Sequence, residues 1–183
     1  MPALDKELKK ALLSLPPARK DKLLLQLLLP NQLLQEQLRF ELLEGPEALE
    51  FRRDELRGRV RASAKGFYYN ASELLVSLRQ LCPLFSAHAK VTQDVYGEIS
   101  LLLLLVKEVL QHQKEMVQVL SGANEALSLF LAKRTEEVVQ KLQKLHEDLH
   151  VEFADEVNEV LPRLHASSAG YAARKLGVPV RWE

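Results

Sequence analysis

Leucine fills 39 of the 183 positions, in blocks such as Leu23-Leu24-Leu25, Leu27-Leu28-Leu29 and the run Leu101 to Leu105, with charged residues between the blocks. Leucine propagates helices and fills cores, whereas a chain built on sheet leans on Val, Ile, Thr and aromatic residues. Those residues are sparse here. The composition therefore specifies an all-α protein. A chain of 183 residues suits one domain, and folding at this size buries roughly 70% of the unfolded surface, so neither disulfide nor metal is needed for stability.

Proline and glycine then divide the leucine-rich stretches into helices. The first is expected over Asp5 to Ser14. Pro16-Pro17 opens a second that ends at Leu29 against Pro30, and Asn31 to Glu44 forms a third. Gly45-Pro46 puts a proline in the first turn of a fourth helix, where its missing N–H costs nothing, and that helix runs to Lys65 before Gly66. Asn70, with Glu73 three residues on, reads as an N-cap of a fifth helix reaching Leu81, which Pro83 bends or restarts toward Lys90. After a more polar joint, Thr92 to Gly97, a sixth helix spans Glu98 to Leu120.

Gly122 turns the chain into a seventh and longest helix, from Asn124 toward Leu164, interrupted or kinked at Pro162. Its apolar stripe is Val138, Leu142, Leu145, Leu149, Phe153, Val157, Val160 and Leu164. The mean step, about 3.7 residues, exceeds the 3.5 of a left-handed coiled coil and indicates a nearly straight helix packed on its own domain. The expected architecture is a single-domain multi-helix bundle or short solenoid-like array of about seven helices: short helical hairpins over 1–66, middle helices over 67–121, the long C-terminal helix over 122–175 and an extended tail over 176–183. In shape alone, the tightly linked hairpins resemble the stacked pairs of HEAT-like arrays.

Lysine plus arginine balances aspartate plus glutamate at 25 each, so no global field draws nucleic acid or anionic lipid to the chain. The longest apolar run, Leu101 to Val106, is far below the roughly 20 residues of a membrane-spanning helix. One cysteine, Cys82, cannot form an internal disulfide, and the opening MPALDKELKK has no apolar core of a secretory signal. These features lead us to expect a cytoplasmic protein without a membrane partner.

Three patterns carry chemistry. His146-Glu147-Asp148-Leu149-His150 spells H-E-x-x-H, whose helical spacing sets two imidazoles on one face with a glutamate beside them. The five residues resemble the zinc-metalloprotease signature, which implies His146 and His150 as zinc ligands and Glu147 as general base. A hairpin at Gly122 brings Glu98 level with His146, with Asp94 just beyond, as the third ligand. Against this, Asp148 puts a charge inside the motif and no downstream glutamate stands at the usual distance. The helical wheel sets His146 within the apolar arc and His150 at its edge, which favours two partly buried packing histidines.

The second pattern is basic: Arg52, Arg53, Arg57, Arg59, Arg61 and Lys65, followed by Phe67-Tyr68-Tyr69. Arginines beside aromatics bind phosphates and stack on bases, and Arg53, Arg57 and Arg61 are the binding candidates. Yet Asp54 and Glu55 sit within a helical turn of Arg57 and Arg59, and residues 136–160 carry eight acids against two lysines. Charge pairing within the chain or between subunits is favoured over an acidic protein partner, and that over nucleic acid. Third, Cys82 before Pro83 would be a reactive thiol at a helix N-cap with His88 as base, but its spacing with Leu74, Leu78, Leu81 and Phe85 marks a small core residue. With no assembled catalytic set, the expectation is a non-enzymatic helical domain for protein interaction or scaffolding, acting on a protein partner or on itself. A zinc hydrolase and a nucleic-acid binder are the alternatives.

Overall fold

The computed structural model describes residues 5–182, so the first four positions of the expected 1–66 segment, and Glu183 of the tail, lie outside the described residues. The described residues form ten helices and no strand, and the chain divides into two compact units, 1–45 and 46–183.

The first unit holds α1 (Lys6–Ser14), α2 (Pro17–Leu28) and α3 (Gln32–Leu43). Each start follows from local chemistry. Asp5 Oδ2 accepts from Leu8 N–H at 3.1 Å, Pro17 pre-sets the first turn of α2, and Asn31 Oδ1 accepts from Leu34 N–H at 3.1 Å. Gln35 Nε2 donates to the carbonyls of Leu28 and Leu29 at 2.8 and 3.2 Å, so α3 closes the C-terminus of α2. None of the three helices has a buried residue.

The second unit holds α4 (Pro46–Lys65), α5 (Ala71–Thr92), α6 (Val95–His112), α7 (Lys114–Val117), α8 (Glu125–Leu142), α9 (Glu147–Ala166) and α10 (Gly170–Lys175). Its core is continuous, from Val60 and Ala64 through Phe85, Leu131 and Leu142 to Ala173 and Val178. At the centre runs α6, which packs on α4, α5, α8 and α9. Ile99, Leu101, Leu102, Leu103, Leu105 and Val106 are all buried. A helix apolar on every side must be surrounded, which explains the five-leucine run.

Several boundaries differ from those read in the sequence. Helix α5 passes through Pro83 without a break and ends only at Thr92. Pro83 and Arg79 both lie on the exposed side, where water satisfies the carbonyl that a proline leaves without a donor. The joint at 92–97 is shorter than expected, because Asp94 caps α6 through Gly97 N–H at 2.8 Å. That helix stops at His112, where Gln113 turns its side-chain amide to the carbonyls of Ala64 and Gly66 at 2.8 and 2.9 Å and closes α4 instead.

The long C-terminal helix is two helices. Residues 143–146 break it, and Pro162, the expected interruption, lies inside an unbroken α9. Glu147 and Asp148 belong to the first turn of α9, where acids favour a helix start. Even so, Val138, Leu142, Phe153, Val157, Val160 and Leu164 of the stripe are all buried. The C-terminal segment adds α10, closed by Gly177 at φ +73° with Gly177 N–H on Arg174 O and Val178 N–H on Ala173 O. That pair of bonds is a Schellman motif, and the left-handed residue is glycine.

Candidate functional site

Exposed leucine is the first unit's distinguishing feature. Of the fifteen leucines among its described residues ten are exposed: Leu8, Leu12, Leu13, Leu24, Leu25, Leu27, Leu29, Leu33, Leu42 and Leu43. In α1, Leu8, Ala11 and Leu12 recur at one-face spacing. A groove of about 330 Å³ is lined by Leu12, Leu13, Leu15, Leu23, Leu24 and Leu27, with Lys20 and Asp21. Scattered exposed leucines are ordinary, whereas these six leucines line one groove. The sequence reading did not single out this surface, because it took leucine to mean interior.

In the second unit the most organised polar cluster surrounds Asp94. Its carboxylate accepts from Arg53 Nε and Nη2, each at 2.7 Å, from Gly97 N–H at 2.8 Å, and from His88 Nε2 at 3.2 Å in the tautomer protonated there. Burial alone would raise the Asp94 carboxyl, but the bonds from His88, Arg53 and Gly97 outweigh it and hold the group far below the usual carboxylate range. Arg53 also donates to Glu50 at 3.2 Å and lies over the Tyr96 ring at 5.5 Å. Every face of the carboxylate is taken up by the protein, so the cluster ties α4, α5 and α6 together.

The remaining arginines of α4 are similarly engaged. Arg57 bonds Glu50 at 2.6 Å and Asp54 at 2.8 Å, Arg59 bonds Glu55 at 2.7 Å, and Arg61 lies 3.8 Å from Glu108. These partners are not the acids of 136–160, three of which pair with other cations: Glu137 with Arg134 and Lys141, Glu156 and Glu159 with Lys107, and Glu159 with Arg163.

The H-E-x-x-H residues do not share a helix. His146 is the N-cap of α9, in extended conformation, its side chain 77% exposed and its Nδ1 3.2 Å from Asp148. This corrects the placement of His146 within the apolar arc: the break at 143–146 takes it off the helix and out of the i, i+4 relation to His150. Glu147 is exposed in the first turn. Only His150 is partly buried, its Nε2 enclosed without a hydrogen-bond partner and its ring edge-on to Trp182 at 5.7 Å. Glu98 is buried and already bonded to Ser86 at 3.2 Å and to Lys141 Nζ. Asp94 is committed as above. Among the described residues no three His, Cys, Asp or Glu side chains are grouped to hold a metal ion.

Cys82 sits in the middle of α5, not at an N-cap, with Sγ 3.8 Å from Leu78 O. Burial pushes its thiol up, against the pull of nearby Arg134. The base once paired with it in sequence, His88, faces Asp94.

The tail is docked. Asn158 Nδ2 donates to Trp182 O at 3.1 Å and Asn158 Oδ1 accepts from Trp182 N–H at 2.9 Å. His165 Nε2 reaches the carbonyls of Val178 and Pro179 at 3.1 and 3.2 Å. Among the described residues no helix is long and apolar enough to cross a membrane. No family model, curated protein or solved structure matches the chain.

Proposed function

We propose that this chain is a non-enzymatic, cytoplasmic helical interaction or scaffolding protein that binds through the leucine-rich helices of residues 6–43. One observation carries the reading: three helices of 9, 12 and 12 residues expose nine leucines and bury nothing. Isolated helices shorter than about 12–15 residues are marginal in water, and their stability in proteins comes from packing an apolar face. A segment of this kind gains order when a protein partner covers it, whereas the second unit already has a closed core. The internal commitment of Arg53, Arg57 and Arg59 supports a structural use of α4 over a nucleic-acid ridge.

The test is photo-cross-linking from benzoylphenylalanine placed at Leu25 or Leu42, with Gln140 on the exposed side of α8 as control. Protein adducts concentrated at Leu25 and Leu42 are expected. Equal adduct yields at all three positions would overturn the reading.

A further inference from the structure

We infer that the partner covering residues 6–43 is a second copy of the same chain, a deepening that rests on the reading of this segment as a binding surface. Two observations select a copy over other occupants. The first is the distribution of leucine around α2. Leu23, Leu24, Leu25, Leu27, Leu28 and Leu29 follow one another with a single gap, so they spread around most of the helix circumference. A lipid surface covers one face of a helix lying on it. A helix apolar on several sides needs protein on several sides.

The second is charge. Residues 5–29 carry six bases (Lys6, Lys9, Lys10, Arg19, Lys20, Lys22) against three acids, a net of +3, while α3 carries Arg39 against Glu36 and Glu41, a net of −1. Among the described residues none of those six bases, and neither Glu36 nor Glu41, is in an ion pair, in contrast to the paired arginines of α4. Unspent positive charge on α1–α2 and unspent negative charge on α3 make one segment complementary to another of the same sequence. A two-fold axis satisfies both at once: α1–α2 of each copy meets α3 of the other, with leucine buried between.

Sedimentation velocity and light scattering of the full chain test this. Wild type is expected at a multiple of the 20.8 kDa monomer. Leu24→Glu with Leu27→Glu gives monomer, and so does either charge reversal alone, Lys20→Glu with Lys22→Glu or Glu36→Lys with Glu41→Lys, each raising the dissociation constant by about tenfold or more. Mixing the two charge-reversed proteins restores the oligomer, a result that a general loss of folding cannot produce. Unchanged Trp182 fluorescence in each variant shows that the core of the second unit is intact.

An oligomer indifferent to all these substitutions overturns the inference, as does a wild-type monomer. Hydrogen exchange then separates the two levels. A monomer whose residues 6–43 exchange freely leaves the binding-surface reading in place with a different partner. Protection of 6–43 in a monomer overturns both. A monomer that sediments with vesicles of phosphatidylcholine and phosphatidylserine overturns the choice of a protein occupant.

Discussion

Asp94 shows how much a single side chain can hold. It caps α6, receives both ends of the Arg53 guanidinium and faces a buried histidine. Asp94→Ala removes the cap and strands Arg53 and His88, so a loss of about 3 kcal/mol is expected in urea unfolding at neutral pH. Because the folded carboxyl titrates far below its unfolded value of about 3.9, its contribution is fully present above about pH 4 and fades as acid approaches the folded value. Asp94→Asn therefore flattens the acid limb of the stability curve, and an unchanged limb would show that other carboxylates govern it. Gly97 is part of the same arrangement, since a Cβ there would overlap Asp94 Oδ2 and crowd Arg53 Nε at 3.0 Å. Gly97→Ala is expected to cost about 2 kcal/mol, by displacement of the buried pair rather than by backbone strain. Little of this was legible in the sequence. The Asn70–Glu73 cap was, because its partners are three residues apart and bond at 3.0 Å as the spacing implies. Arg53 and Asp94 are 41 positions apart, and no local pattern joins them.

Helix ends were legible where aspartate, proline or asparagine chemistry acts within one turn, as at Asp5, Pro17 and Asn31. They were not where tertiary packing decides. Pro83 and Pro162 looked like breaks, but both are exposed and their helices continue, while the real break at 143–146 contains neither proline nor glycine. That one displacement also undid the apparent zinc motif, since five letters matched a helical signature across a helix start. The docked tail belongs to this scale as well. Asn158 holds Trp182 through two backbone hydrogen bonds, together contributing about 1–3 kcal/mol to docking. Asn158→Ala should shift the emission of the only tryptophan to the red and raise its quenching by acrylamide, while the cooperative thermal transition of the core moves little. Emission that stays unshifted would mean that packing against the core and the His165 bonds retain the tail.

At the scale of the whole molecule the two units obey different balances. The second surrounds the apolar middle of α6 and pairs the arginines of α4 internally, whereas the first consists of about forty residues, near the limit below which a chain needs disulfides, metals or association to fold. Composition alone could not separate them, because leucine is as dense in the exposed helices as in the buried one; only burial distinguishes Leu25 from Leu102. Limited trypsin digestion reads this asymmetry. Opening free energies range from near zero in weakly packed segments to the global value in the core, and cleavage follows the open population. At dilution, where an association through residues 6–43 is dissolved, the first cuts are expected at Arg19, Lys20, Lys22 and Arg39, leaving a long-lived fragment that retains α4 to α10. Raising the protein concentration at a fixed protease ratio should then slow these cuts selectively, because burial of the leucines in a second copy closes the same bonds that dilution exposes. First cuts at Lys133, Lys141 or Lys144 in α8 and the turn after it would show instead that the second unit opens before the first. Cuts at 19–39 that do not slow with concentration would leave the leucine surface real but its partner other than the chain itself.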